Sequence, residues 1–257
     1  DDNEKSYALY ILSRLMYFSS SSIRNLLKAL YRDLYRYPII EQIRKDNNNT
    51  LDPNIIEPLF KKELKATRFL GVGNPSESGV HLLYYFRQEN KIPKDLFINT
   101  DDVVEYDENG NSKLRDSYKD VKHYVFIDDL CGSGKQATSN DSNVKRCVQH
   151  LRNIVKDAEI SYFMIFGMSK GIQVIRNSGL YNKANAVVEL DESYRCFSEQ
   201  SRFFDDDKYK RTEAKNIAYK HGYKLLHSPQ HSLGFGDCQL LLSMHHNTPD
   251  NTLPIIW

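Results

Sequence analysis

The sequence predicts an α/β fold: a mainly parallel sheet flanked by helices, with an N-terminal helical region before it. Three observations carry that expectation. From Thr67 onward, short apolar runs alternate with amphipathic stretches, the pattern of strands joined by crossover helices. The expected strands end at Gly71, Asp128, Gly167 and Asp191, small or acidic positions at the strand end where such sheets bind ligands. The segment before Thr67 shows helical periodicity instead. The expected division is therefore residues 1–66 as a helical region and residues 67–257 as the α/β domain.

Taken in order, Ser6–Tyr17 reads as a helix with apolar Tyr7, Leu9, Ile11, Leu12, Leu15 and Met16. The serine run Ser19–Ser22 breaks it and supplies an N-cap. Ile23–Tyr35 repeats the helical pattern, and Asp52-Pro53 starts another helix toward Lys65. Thr67–Val72 is the first expected strand, followed by the loop Gly71–Gly79 and a helix over His81–Glu89. Phe97–Asn99 is a short strand. Asp101–Tyr118 is polar and reads as a long loop or hairpin, the position of a lid. Asn143–Val155 is an amphipathic helix, Ile160–Phe166 a buried strand, Ala186–Leu190 another. Glu213–His221 is helical with Gly222 as its stop, and Gln239–Met244 is a late strand.

Composition narrows the class. A length of 257 residues at 40% hydrophobic content supports one large domain, or one with an extension. Net charge is +1 from 35 basic and 34 acidic residues, so no global field favours nucleic acid or membrane. Four dispersed cysteines, Cys131, Cys147, Cys196 and Cys238, form no CxxC pair. They read as free thiols of a cytoplasmic protein rather than a zinc site. No apolar run is long enough to span a membrane.

The most informative stretch is His123–Gln136, HYVFIDDLCGSGKQ. An apolar run stops at adjacent carboxylates, Asp128 and Asp129. A small-residue turn follows, Gly132-Ser133-Gly134, then Lys135 and Gln136. Carboxylates at a strand's end suit sugar hydroxyls or a hydrated Mg²⁺, and bare amides opening a helix suit a phosphate. Together they suit a sugar phosphate. A P-loop is excluded by spacing: Asp129 stands at its first glycine and Gln136 follows the lysine. His245 and His246 would point to opposite faces of a strand, which argues against a shared metal.

The order of Val125-Phe126-Ile127, Asp128-Asp129, Leu130-Cys131 and Gly132-Ser133-Gly134 resembles the signature of type I phosphoribosyltransferases. The resemblance implies that Asp128 and Asp129 bind ribose hydroxyls of phosphoribosyl pyrophosphate and face a Mg²⁺ ion. It places the 5-phosphate on Gly132, Ser133, Gly134, Lys135 and Gln136, with Asp128, Asp129 and Lys135 as the catalytic set. The loop with Gly73, Asn74, Pro75, Ser76, Ser78 and Gly79 would cradle pyrophosphate. Lys113 and Arg115 would reach it from a closing lid. Gly132 departs from the pattern, standing where an acidic residue often serves as base.

The segments TRFLGVGNPSESGVHLLYYFR, ELDESYRCFSEQSRFF and HSPQHSLGFGDCQLLLSMHHNTPDNTLPIIW are similar to a phosphoribosyltransferase-like family of bacterial conflict systems. Some of its members are effectors beside retron reverse transcriptases. Over Thr67–Trp257 that resemblance implies an anti-phage effector, toxic when released from a partner such as a reverse transcriptase–nucleic acid complex. Asp191, Glu192 and Arg195, just beyond a strand end, are candidates for the acceptor pocket, and Phe235, between glycines, either stacks on a base or fills the core. A sensor of nucleotide or ribose phosphate, without catalysis, is the alternative.

Overall fold

The computed structural model describes residues 2–73, 78–100, 103–106, 112–114, 118–204 and 207–257. These divide into two compact units. Unit 1 contains residues 1–23, 168–170 and 189–257, and unit 2 contains residues 24–167 and 171–188. The units cut across the expected division at residue 66. Helical residues 24–65 fold with the sheet because their apolar faces are needed to cover it.

In unit 2, strands β2 (Thr67–Gly71), β5 (His123–Cys131), β6 (Glu159–Met168) and β7 (Lys183–Leu190) form one sheet in the order β2-β5-β6-β7. The β2–β5 and β5–β6 pairs are parallel, with Phe69 opposite Val125 and Phe126 opposite Tyr162. The fold is thus mixed α/β with a parallel sheet between helices. One face of β5 meets helices α7 (Asn143–Ile154) and α8 (Ser169–Asn177) through Phe126, Tyr162, Val148, Leu151, Ile172 and Ile175. The other side of β2 presents Phe69 to an aromatic cluster. Its members include Tyr35, Phe86 of α5 (Ser78–Asn90) and Phe97. Tyr35 adds a buried hydrogen bond to Thr67 Oγ1 at 2.7 Å.

Several local expectations hold for the stated reasons. Helix α4 (Pro53–Lys65) begins at Pro53, and the Asp52 carboxylate caps it by accepting from Asn54 N–H at 2.9 Å. Ser19 Oγ accepts from Ser22 N–H at the start of α2 (Ser20–Ala29). A π-helical turn, Leu30–Arg36, joins α2 to α3 (Tyr37–Asp46) and swings Tyr35 onto the sheet. The Asp101–Tyr118 segment contains an antiparallel pair, β3 (Val104–Tyr106) with β4 (Ser112–Leu114). Phe97 makes only an isolated bridge to Phe69 rather than a strand.

Unit 1 corrects the reading of both ends. Helix α1 (Asp2–Ser13) stops early, and β1 (Met16–Phe18) pairs in parallel with β8 (Leu242–Met244). Met16 is apolar on either period, so the helical pattern absorbed it. Helix α6 (Lys135–Thr138) is short, and α9 (Lys208–Leu226) runs through Gly222. Gly222 is no stop: a Cβ there would lie 1.9 Å from Ser232 O, so close backbone approach demands glycine. His227, with φ 51°, ends the helix instead. Phe235 N–H donates to Asp250 O at 2.7 Å and Asn251 Nδ2 to Phe235 O at 3.2 Å, locking the Gly-Phe-Gly turn to the Asn251-Thr252 segment. Ile255 and Ile256 pack on the core of this unit, while Trp257 is exposed.

Gly222→Ala forces α9 and the Ser232 backbone apart. It should cost about 1–3 kcal/mol or more, read as a lower urea midpoint at unchanged slope.

Candidate functional site

Strand β5 carries its two carboxylates after the buried run Tyr124–Ile127, and it runs on to Cys131 rather than ending at Asp128 as expected. Consecutive strand residues face opposite ways, so Asp128 and Asp129 diverge. Both are buried, Asp128 at 4% and Asp129 at 7% exposure. Asp128 Oδ2 accepts from the Tyr162 hydroxyl at 2.6 Å, and its Oδ1 from Asp129 N–H at 2.9 Å. Asp129 Oδ1 accepts from Leu130 N–H at 2.7 Å. Burial, and then the neighbouring Asp129 charge, hold the Asp128 carboxyl well above the usual carboxylate range. The Tyr162 bond opposes that shift. Burial, and then Asp128, push the Tyr162 phenol up in turn.

The following turn is pressed against the first residues of α8. Gly134 has φ 78°, and a Cβ on it would lie 2.8 Å from Gly171 O. A Cβ on Gly171 would lie 2.2 Å from Gly132 O. Only glycines fit both places. Beyond the turn, Thr138 Oγ1 donates to Gly134 O at 2.9 Å, and Tyr181 OH to Ala137 O at 2.9 Å. Lys135 and Gln136 are exposed at the start of α6. Backbone and one cation are thereby presented to solvent immediately after two carboxylates, an arrangement that suits an anion with a polyol attached.

Tyr162, Tyr181 and Gly171 were missed by sequence reasoning. Tyr162 lies inside an apolar run and reads as core. Its signal is its place opposite Phe126 in the ladder, which only the register reveals.

Of the second loop, Gly73 is described, with φ 100°. Asn74, Pro75, Ser76 and Glu77 lie outside the described residues, as does Arg115. Ser78 and Gly79 open α5, and their side chains, like that of Lys113, lie outside the description. Asp191, Arg195 and Phe235 belong to unit 1. Asp191 caps a short 3₁₀ turn by accepting from Ser193 N–H at 2.9 Å. Its carboxyl is held below the usual range by the Ser193 hydroxyl and then the Ser193 amide. Arg195 bridges Glu192 at 2.7 Å and Asp237 at 2.6 Å, and Lys170 pairs with Glu192 at 3.0 Å. A cavity of about 290 Å³ lies here, lined by Ser169, Lys170, Asp191, Glu192, Ser193 and Gln200 among others. Arg195 and Phe235 do not line it. Phe235 stacks on His231 at 4.6 Å and 17°.

His245 and His246 correct the expectation of opposed faces. The strand ends at Met244, and the two rings meet at 4.7 Å with their Nδ1 atoms 3.3 Å apart. Among the described residues, no three His, Cys, Asp or Glu side chains converge as a metal cage, and no helix is long and apolar enough to cross a membrane.

The family model PRTase-CE matches residues 1–257, the whole length. The chain belongs to the PRTase-CE family. Among curated proteins none matches it. Helicobacter pylori xanthine-guanine-hypoxanthine phosphoribosyltransferase is similar in structure at a TM-score of 0.34 and 10% identity, over 68% of this chain and 88% of that one. So distant a likeness decides nothing about the site. The family match reaches beyond the Thr67–Trp257 span of the sequence resemblance and takes in the N-terminal helices.

A buried carboxyl with a raised folded pKa favours folding most when protonated. That contribution is complete below the unfolded value of ~3.9 and is lost as pH rises toward the folded value. Asp128→Asn mimics the neutral form, its amide reaching Tyr162. In ligand-free protein the melting temperature of D128N should gain on wild type steadily from pH 5 upward. Parallel melting curves across that range would remove the coupling.

Proposed function

We propose that this chain binds phosphoribosyl pyrophosphate and transfers the phosphoribosyl group to a nucleophile. The observation that supports it best is the Asp128-Asp129 pair at the end of β5, followed by the glycine turn seated on Gly171. In this reading the amides of Gly132–Gln136 and the Lys135 ammonium hold the 5-phosphate. A phosphate over the start of such a turn gains about 0.3–1 kcal/mol from aligned peptide dipoles. Asp129 and Asp128 serve the ribose. Tyr162, by donating to Asp128, keeps that carboxyl from rotating away.

The reaction breaks the C1–oxygen bond to pyrophosphate, which leaves with the electron pair. The acceptor's lone pair forms the new bond at C1, and its proton passes to solvent or to the leaving group. The transition state is cationic at the sugar, as in glycoside cleavage, so nearby carboxylate charge favours it more than a strong base would. That requirement accommodates Gly132 in place of an acid. The donor set fits Mg²⁺ only as an ion arriving on substrate oxygens, with Asp129 and Asp128 contacting it through water, as is usual for this ion. When bound, it would neutralise charge building on pyrophosphate.

The same proposal includes the setting: an anti-phage effector, toxic when a partner releases it. Within unit 1, Asp191, Arg195 and Phe235 remain the residues this reading assigns to recognition of the acceptor. The alternative, a sensor of nucleotide or ribose phosphate, is favoured by Gly132, which leaves no base beside the ribose.

Calorimetry with phosphoribosyl pyrophosphate and Mg²⁺ tests the ligand. Asp129→Asn and Lys135→Ala should each weaken binding about tenfold or more, consistent with losing one charged hydrogen bond of roughly 1.5–3 kcal/mol. Unchanged heats in both variants would sink the reading. Release of pyrophosphate distinguishes the two forms: binding with no release under any acceptor tried supports the sensor. In cells, toxicity that persists in Asp129→Asn separates any toxic activity from this site.

A further inference from the structure

We propose that the outer face of α9 is a docking surface for single-stranded nucleic acid. It lies wholly within unit 1 and does not depend on the transfer reaction. The chain is nearly neutral, but its charge is unevenly placed. Residues 208–226 carry six Lys or Arg against one Glu, leaving 29 basic against 33 acidic residues elsewhere. The helix is therefore a strongly basic rod on an otherwise acidic chain.

One side of that rod is buried. Ala214, Ala218 and Ile217 pack inward, and Gly222 sits against Ser232. A second side is neutralised by α1. Lys220 pairs with Glu4 at 2.5 Å, His221 lies 3.3 Å from the same carboxylate, and Tyr7 donates to Glu213. Lys220 and His221 together hold the Glu4 carboxyl at about 2, so it stays ionised.

The third side has no such cover. Lys215, Tyr219, Tyr223 and His227 follow one another at four-residue spacing, about 6 Å apart along the axis. The Tyr219 and Tyr223 rings are parallel within 11°, their centroids 6.4 Å apart, and 40% and 44% of each residue is exposed. His227 sets its ring edge-on to Tyr223 at 6.4 Å. Lys215 precedes the rings on the same face, and Lys224 follows Tyr223 about 100° round the helix; both are exposed and neither is in an ion pair among the described residues.

Two exposed ring faces with an exposed ammonium group before and after them match a strand with exposed bases. Each base has a face to stack and each phosphate a charge to pair. An acidic peptide would use the lysines but leave the rings idle. A membrane would need a wider apolar face than two tyrosines provide. Duplex nucleic acid hides its base faces.

The test is fluorescence anisotropy of the full chain with labelled dT20 and U20 across a salt series, against a duplex of equal length. We expect single strands to bind and the duplex to bind more weakly. Tyr219→Ala with Tyr223→Ala should weaken binding at least about tenfold, while Tyr219→Phe with Tyr223→Phe retains it. Lys215→Glu with Lys224→Glu should flatten the slope of log affinity against log salt by about 1.4, or 0.7 per charge. Wild-type melting of the Phe and Glu pairs shows that the fold survives. Three results would overturn the proposal: no oligonucleotide binding, equal binding by both Ala and Phe pairs, or displacement by polyglutamate as effective as by unlabelled dT20. The last would assign the surface to an acidic peptide.

Discussion

The arrangement turns on one hydrogen bond, from the Tyr162 hydroxyl to the Asp128 carboxyl. A carboxyl at the end of a central strand cannot be left without a partner away from water. Here β6 supplies the partner from Tyr162, opposite Phe126 and two residues back from Met164, the residue the parallel register sets beside Asp128. That bond ties β5 to β6 three residues before the strand ends at Cys131, so the turn that follows starts from a fixed place. Tyr181 continues the same support, its ring packing edge-on to Tyr162 at 5.3 Å and its hydroxyl reaching Ala137 O beyond the turn. Two tyrosines thus hold the turn from both ends.

The second constraint is steric. The Gly132–Gly134 turn touches α8 through backbone on both sides, with Gly171 as the opposite surface. Side chains anywhere in that contact would lift the turn away from the helix. The glycines read from sequence as phosphate-binding are therefore also packing residues, and the two roles agree. A turn that lies flat on a helix leaves its outward amides facing solvent.

The fold's order was legible because the central strands are nearly continuous apolar runs and the helices keep clear periodicity. Val144, Cys147, Val148 and Leu151 mark the buried face of α7 as plainly in sequence as in space. Asp128 and Asp129 stood out because acids rarely close an apolar run. What stayed hidden depended on partners distant in sequence. Tyr162 acquires meaning only opposite β5, Gly222 only against Ser232, and Met16–Phe18 becomes a strand only because Leu242–Met244 lies beside it. Periodicity reports which side of an element is buried. It does not report what buries it.

That last pairing has a kinetic side. Phe18 pairs with Met244, so β1 is made long before its partner. Closing so long a loop is entropically costly, though the cost grows only slowly with length. On a ribosome adding roughly 5–20 residues per second, the β1 edge waits at least about ten seconds for its neighbour. The β2-β5-β6-β7 sheet has all its strands by Leu190 and can form during that wait. The β1–β8 pair of unit 1 closes late, and synthesis interrupted before β8 would leave the β1 edge open for another strand to occupy.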